Sequence, residues 1–238
     1  MRSSGEVSAE KIARNLAGVK ARIIEAAQRS GRDASSIRLI GVTKYSSAAE
    51  TAALIQLGVR DLGESRVQDA EKKIAALNDP ALRWHLIGHL QTNMTLKAVK
   101  LFRTIHSLDS ARLARAIDAD ALKADVNVEC LIELNTAGED NKFGLPPRQA
   151  ELFELLKICS GLKALRVTGL MSMAPYMEHP ERSSRDIFKT VRGLLEAANA
   201  ARVYTHPLAE LSMGMTQDFC IAIEEGATMV RVGSALFE

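Results

Sequence analysis

The segment Arg38-Leu39-Ile40-Gly41-Val42-Thr43-Lys44 decides the fold prediction, because it is an apolar run that ends on a single lysine. The turn-forming residues Tyr45-Ser46-Ser47 follow it, and either serine could cap a helix. An apolar run of this length that ends at a turn predicts a strand buried on both faces. Residues 38–44 therefore predict the first strand of an α/β fold, with Lys44 at its carboxyl end.

Helices and strands alternate along the rest of the chain. The hydrophobic pattern predicts strands at 38–44, 61–64, 83–88, 104–108, 127–134, 165–173, 210–213 and 229–232. It predicts helices at 8–30, 48–57, 66–77, 96–102, 110–124, 146–159, 183–200 and 219–225, and a short helix after Ser234. Strands that are each followed by a helix, with one extra helix in front, are typical of a (β/α)8 TIM barrel. An open doubly wound sheet is the alternative, but no G-x-G-x-x-G follows the first strand.

Composition places the chain among ordinary globular proteins and excludes several function classes. It has 238 residues, 47% of them hydrophobic, and no linker divides it, so we predict one domain over residues 1–238. The net charge of +2 is spread along the chain, which argues against nucleic acid as a partner. Three scattered cysteines predict neither disulfides nor zinc. With no signal peptide and no long apolar run, we expect a cytoplasmic protein without membrane contact.

Lys44 is the first candidate for chemistry, because active sites of TIM barrels lie at the carboxyl ends of the strands. A lysine that loses hydration at a strand end favours the neutral amine, which is the nucleophile of Schiff-base chemistry. The alternative is a lysine whose ammonium reaches into water. Polar and glycine residues concentrate in the other loops at the same end, including Gly63–Arg66, Ile87–Gln91 and Met171–Pro175.

The loops after strands 7 and 8 carry the second candidate, because barrels often bind phosphate there. Ser212 and Gly214 follow strand 7, and Gly233 and Ser234 follow strand 8 and lead into the short last helix. These residues could also be plain turn and cap residues. Arg231 favours the anion site: the alternation of strand 8 points it into the barrel, where a bound anion or a ring acceptor would satisfy it.

Barrel closure places strand 8 beside strand 1, which makes Lys44 a neighbour of the phosphate loops and of Arg231. An imine-forming lysine, a phosphate site and an inward arginine together indicate pyridoxal 5′-phosphate (PLP). No metal site competes, because His85 and His89 lie on either side of a strand end and have no third ligand nearby. We interpret His85 as a hydrogen-bonded residue at the barrel mouth, with a catalytic base as the alternative.

Several motifs resemble those of the pyridoxal phosphate homeostasis protein family, whose fold is that of the alanine racemase N-terminal barrel. The similar segments are residues 42–44, 63–68, 84–93, 135–144, 169–175, 211–215 and 231–234. The resemblance implies that Lys44 holds PLP as an imine and that Ser212, Gly214, Gly233 and Ser234 surround its phosphate. It also implies that Arg231 lies near the cofactor, with its contact to the pyridine nitrogen or the phosphate left open. The chain departs from the family pattern at Ser65 and Met94.

The same resemblance bears on catalysis. Enzymes similar to alanine racemase take a second acid or base, a tyrosine, from an additional C-terminal domain, whereas this sequence ends at Glu238 after its last predicted strand. Its tyrosines are Tyr45, Tyr176 and Tyr204, and Tyr204 is predicted to lie away from the catalytic face. We therefore expect a monomeric carrier that holds and buffers PLP and delivers it to PLP-dependent apo-enzymes, with little or no turnover. The alternative is a small PLP-dependent racemase or lyase with Lys44 as its base, and a regulatory module that binds other proteins is compatible with either.

Overall fold

The computed structural model describes residues 7–136, 143–175 and 181–238. Its strands are β1 (Arg38–Val42), β2 (Asp61–Glu64), β3 (Arg83–Leu86), β4 (Thr104–Leu108), β5 (Val128–Leu134), β6 (Leu165–Ser172), β7 (Glu210–Ser212) and β8 (Met229–Val232). Its α-helices are α1 (Ala9–Arg29), α2 (Ala48–Gln56), α3 (Val67–Leu77), α4 (Thr95–Leu101), α5 (Ala111–Lys123), α6 (Gln149–Cys159), α7 (Glu181–Ala200), α8 (Phe219–Glu224) and α9 (Ser234–Phe237). Short 3-10 helices lie at Ala34–Ser36 and Thr92–Met94.

The strands form one closed parallel barrel in chain order, which confirms the predicted (β/α)8 fold with an extra helix in front. β1 closes the barrel by pairing with β8, so that Ile40 lies beside Arg231. The predicted neighbourhood of the first and last strands is therefore confirmed. Helix α1 packs outside the barrel against α2, α8 and α9.

The two faces of strand β1 pack against different parts of the protein. A Cβ on Gly41 would lie 2.7 Å from Cδ2 of Leu54, so the glycine lets α2 approach the outer face of the strand. Ile40 is fully buried on the other face, where a Cβ on Gly63 would lie 3.0 Å from its Cγ2. The main hydrophobic core thus lies between the barrel and the helices, while Ile40 belongs to the barrel interior.

Local sequence signals explain most boundaries. Ser47 forms a capping box with Glu50 at the start of α2, and Ser110 caps α5 through the backbone N–H of Leu113. The prediction that a helix opens at Pro146 is wrong, because α6 begins at Gln149. The backbone of Leu145 forms hydrogen bonds with the end of β5, and Arg148 is extended, so the chain turns into the helix only afterwards.

Within the described ranges, no helix combines the length and the apolar composition that crossing a membrane requires.

Candidate cofactor-binding site

A cavity of about 930 Å³ opens at the carboxyl ends of the strands. This volume is within the range of ligand sites in proteins, which is ~300–1,000 Å³. Its walls come from the loops that follow β1, β2, β3, β6, β7 and β8, so the loops in which chemistry was predicted do meet. The lining residues used below are Val42, Lys44, Tyr45, Gly88, Thr216, Asp218, Arg231, Gly233 and Ser234.

Lys44 lies two residues beyond β1, in the wall of this cavity. Its side chain is exposed, and its Nζ lies 5.2 Å from the ring centroid of Tyr45. The expectation that Lys44 loses its hydration by burial is therefore wrong, because the strand ends at Val42 and the cavity is open to solvent here. What the structure does provide is an accessible amine in a cavity of cofactor size.

The peptide that carries Lys44 is held firmly on its other side. Glu64 is fully buried, and its Oε1 accepts hydrogen bonds from Thr43 Oγ1 at 2.6 Å and from Lys73 Nζ at 2.7 Å. Lys73 also donates to the backbone carbonyl of Thr43, which accepts from the backbone N–H and the hydroxyl of Ser46 as well. These contacts fix the backbone immediately before Lys44.

Arg231 is 3% exposed, and it points into the barrel as predicted while also lining the cavity. Its Nη1 donates to the carbonyl and the hydroxyl of Ser212, both at 2.7 Å, and its Nη2 donates to the carbonyl of Ser172 at 2.8 Å. Burial lowers the pKa of Arg231 to about 10, so the guanidinium is still charged at neutral pH. The expectation that the guanidinium lacks partners unless a bound anion or a ring acceptor satisfies it is wrong, because backbone and hydroxyl oxygens already accept its hydrogen bonds.

Ser212 and Gly214 lie behind the cavity wall and do not line it. Ser212 is fully buried, and its Oγ contacts His106 as well as Arg231. Gly214 has φ +89°, and a Cβ there would lie 2.5 Å from the Cβ of Ala222 in α8. A glycine is therefore required at this turn by its backbone conformation and by the close approach of α8, whatever the cavity binds.

Gly233 and Ser234 line the cavity beside β1. A Cβ on Gly233 would lie 3.3 Å from both the Cβ and the carbonyl oxygen of Val42, so a glycine keeps the ends of β8 and β1 close. Ser234 Oγ donates to Thr216 Oγ1 at 3.0 Å, which joins the loops after β7 and β8. Helix α9 has only four residues. The hydroxyl groups of Ser234 and Thr216 are thus the polar groups that these two loops bring together.

Two buried carboxyl groups lie close enough to Arg231 to feel its charge. Burial raises the pKa of Glu133 to about 7, Asp109 adds to this effect, and Arg231 opposes it. Burial also raises the pKa of Asp218, although its Oδ1 accepts a hydrogen bond from the backbone N–H of Met215 at 2.6 Å. Neither carboxyl was singled out from the sequence, because a single acidic residue in a strand or loop gives no pattern.

The histidines occupy two different places. His85 is 1% exposed inside the barrel, where its Nε2 contacts Asp61 Oδ1 at 2.9 Å and its Nδ1 contacts His106 Nε2 at 3.0 Å. His89 lies at the mouth, 3.5 Å from Asp109 Oδ2, and stacks on Phe143. The prediction of a hydrogen-bonded His85 is confirmed, but its place is the barrel interior. Analysis of the sequence missed His106, although a histidine inside a wholly buried strand such as β4 was a signal for an interior polar network.

The remaining candidates lie elsewhere or outside the described ranges. Tyr204 lies at the opposite end of the barrel, as predicted, and its hydroxyl accepts a hydrogen bond from the backbone N–H of Val167. Tyr176 lies outside the described residues. Among the residues that the structure does describe, no three His, Cys, Asp or Glu side chains gather in a way that could hold a metal ion.

The fit to PLP can be tested on these residues. The cavity presents the amine of Lys44, the cation of Arg231 and the hydroxyls of Ser234 and Thr216, which are the groups that an aldehyde and a phosphate require. A Cβ on Gly88 would lie 2.4 Å from the carbonyl oxygen of Ser65, so the loops after β2 and β3 pack tightly beside this space. The residues present therefore fit the cofactor.

Comparisons with known proteins show the family of the chain. The family model described as alanine racemase, N-terminal domain, matches residues 10–238. A pyridoxal phosphate homeostasis protein of Aquifex aeolicus is 40% identical over 222 residues, which are 93% of this chain and 95% of that protein. The structure of PipY from Synechococcus elongatus PCC7942 with PLP bound has a TM-score of 0.81 and 35% identity, and the match covers 95% of this chain and 100% of PipY.

An alanine racemase of Clostridium difficile 630 shares the fold, with a TM-score of 0.75 at 14% identity, over 99% of this chain and 59% of the racemase. Both the family model and the relatives cover nearly all of the present chain. The chain therefore belongs to the alanine racemase N-terminal domain family and, within it, to the pyridoxal phosphate homeostasis proteins.

Proposed function

We propose that this protein binds PLP in the cavity at the carboxyl end of the barrel and acts in PLP homeostasis, as a holder and donor of the cofactor. The observation that carries the proposal is the presence of Lys44, Arg231, Gly233 and Ser234 in the wall of one cavity of about 930 Å³. The PLP bound to PipY and the names of the curated relatives support it.

Each residue has a role in the proposal that follows from its place. When bound, PLP supplies an aldehyde that reacts with amines and a ring that withdraws electrons. Lys44 would hold the aldehyde covalently, since its amine is accessible and its backbone is fixed through Thr43. The hydroxyl of Thr216, which accepts a hydrogen bond from Ser234, would donate to the phosphate, and Arg231 would face the cofactor as a permanent cation.

Ser212 and Gly214 take a supporting role in the proposal. Ser212 accepts from Arg231 and so sets its position, while the carbonyl of Gly214 accepts from the backbone N–H of Arg231 at 3.0 Å. If the cation of Arg231 lies against the pyridine nitrogen, it disfavours protonation there and weakens the ring as an electron acceptor. This effect favours holding the cofactor over turnover.

The test is reconstitution with PLP. Purified protein should take up PLP with a visible absorption band, and Lys44→Ala should abolish the band, whereas the control Lys97→Ala, whose lysine is half exposed on α4, should retain it. A wild-type protein that stays colourless with added PLP would contradict the proposal.

Two further measurements decide between holding and catalysis. Transfer of PLP from the wild-type protein to a PLP-dependent apo-enzyme should exceed transfer from Lys44→Ala. Incubation with L-amino acids in heavy water should show no sustained exchange of the α-proton; exchange that depends on Lys44 would establish the racemase or lyase alternative. We also propose that the chain acts as a single-domain monomer in the cytoplasm, and sedimentation at several concentrations tests the oligomeric state.

A further inference from the structure

A continuous chain of side-chain hydrogen bonds runs through the barrel interior from the cavity to the other end. It passes from Arg231 Nη1 to Ser212 Oγ at 2.7 Å, from there to His106 Nδ1 at 2.9 Å, from His106 Nε2 to His85 Nδ1 at 3.0 Å, and from His85 Nε2 to Asp61 Oδ1 at 2.9 Å. All of these residues are at most 5% exposed. Nothing in the proposed binding of PLP uses the Asp61, His85 and His106 part of this chain.

Asp61, at the end of this series of hydrogen bonds away from the cavity, determines which atom donates in each of them. Asp61 accepts hydrogen bonds from Arg83 Nε and Nη2 at 2.8 and 2.5 Å. Burial alone would raise the pKa of Asp61, but the hydrogen bonds from Arg83 and His85 outweigh it and hold that pKa well below its usual range. An ionised carboxylate only accepts hydrogen bonds, so the proton between Asp61 and His85 belongs to Nε2 of His85.

The donor and the acceptor of each following hydrogen bond can then be assigned one residue at a time, from Asp61 towards Arg231. Burial lowers the pKa of both His85 and His106, so each ring is neutral and carries one N–H. His85 has its proton on Nε2, so its Nδ1 accepts from Nε2–H of His106, and Nδ1 of His106 is left as an acceptor. Ser212 must then donate its hydroxyl proton to His106, which leaves the oxygen lone pairs for Nη1–H of Arg231.

We propose that His106 and His85 are positioning residues of the cofactor site: they orient the hydroxyl of Ser212 as an acceptor and so hold Arg231 as a fixed cationic donor in the cavity wall. The proposal rests on the proposed function only in naming PLP as the ligand that Arg231 faces. It also means that the hydroxyl proton of Ser212 is committed to His106, so the phosphate receives no hydrogen bond from that hydroxyl.

Burial, together with charged groups around the barrel interior, keeps the histidines neutral. Burial is the largest cause that lowers the pKa of His106, and the nearby ring of His85 and the charges of Arg231 and Arg38 lower it further. Burial also lowers the pKa of His85, where the charges of Arg38 and Arg83 act against the attraction of Asp61. If His106 gained a second proton in acid, both ring nitrogens would donate, and the hydroxyl of Ser212 would have to turn its own proton elsewhere. Retention of PLP should therefore fall in acid more steeply in the wild type than in His106→Asn.

The first test needs no ligand. Nitrogen-15 NMR of the histidine rings in ligand-free protein at neutral pH should show His85 and His106 each with a protonated Nε2 and a bare Nδ1. A ring with its proton on Nδ1, or a doubly protonated ring, would overturn the proposal. Because PLP is absent, this result does not depend on whether the proposed function is right.

The second test is a double-mutant cycle in which the rate of PLP release is measured after dilution of the PLP-loaded protein. His106→Phe should speed release about tenfold, as expected for the loss of one hydrogen bond to a charged group. His106→Asn, which keeps an acceptor toward Ser212, should recover part of that loss, and the control His206→Phe at the opposite end should release PLP as the wild type does. In a Ser212→Ala background, His106→Phe should add little, because the effect passes through the hydroxyl. Full additivity of the two substitutions would overturn the proposal.

Discussion

The buried ion pair beneath Lys44 makes a stability prediction that can be worked out from the structure. The side chain of Glu64 is 1% exposed and that of Lys73 14% exposed, and their charged atoms are 2.7 Å apart. Lys73→Met would leave the carboxylate buried without its cation, and breaking a buried pair in this way costs about 3–5 kcal/mol. Since whole proteins are stable by ~5–15 kcal/mol, this loss is a large share of the total.

The double variant Glu64→Gln/Lys73→Met shows whether the loss of stability comes from the unpaired charge of Glu64. Both charges are removed together, so the free energy of unfolding should recover to within about 1–2 kcal/mol of the wild type. For a chain of this size, the midpoint of thermal unfolding should fall by ~6–20 °C in Lys73→Met, and by far less in the double variant.

The assay is urea and thermal unfolding of ligand-free protein. The matched control is Lys97→Met, which breaks the ion pair of Lys97 with Glu71 at a similar distance of 2.8 Å, where the side chains are 52% and 45% exposed. An exposed pair is worth ~0–1 kcal/mol. If Lys73→Met is no less stable than Lys97→Met, or if the double variant is as unstable as Lys73→Met, the reasoning is refuted.

Three further predictions concern single positions. The pKa of Glu133 is raised to about 7, so the folded state holds this proton more tightly than the unfolded chain does. The free energy of unfolding of the wild type should therefore fall as the pH rises from about 4.5 to 7 and Glu133 ionises. Glu133→Gln should therefore gain stability relative to the wild type across that interval in urea unfolding at pH 5 and pH 8, and an unchanged difference would count against the buried carboxyl. Gly169→Ala should prevent soluble expression, because the new Cβ would lie 1.8 Å from the carbonyl oxygen of Glu210 in the paired strand. Gly193→Ala in α7 should instead stabilise the protein by up to ~1 kcal/mol, because the new Cβ would meet no neighbouring atom within 4 Å.

The strands and helices could be predicted because their signals are local. The alternation of apolar runs with amphipathic segments was sufficient for all eight strands and for their order around the barrel. The start of α6 could not be predicted, because it depends on hydrogen bonds between Leu145 and the end of β5. The sequence left burial and exposure of Lys44 as alternatives, because the outcome depends on where the strand ends and on the width of the mouth that its neighbours leave open.

Contacts across the barrel were the least accessible to prediction. His106 and Ser212 are separated by 106 positions, and nothing in either neighbourhood indicates the other. Their meeting follows only from the closure of the sheet and from the register of each strand, and a shift of one residue would turn either side chain to the outer face. Arg231 was correctly predicted to point inward, but its partners are carbonyl and hydroxyl oxygens whose position no residue type reveals.

The polar side chains inside the barrel are better explained by function than by stability. Interiors of such barrels are usually filled by branched apolar side chains, and Ile40 follows that rule here. A buried polar chain is not the more stable choice, because well-packed apolar side chains of similar volume are often equally or more stabilising. The carbonyl groups of Ser212 and Ser172 already accept hydrogen bonds from Arg231, so the guanidinium does not need the two histidines merely to be buried. What the histidines add is a single direction for the hydroxyl of Ser212, and a fixed direction has value only where Arg231 must present its charge to a ligand in one geometry.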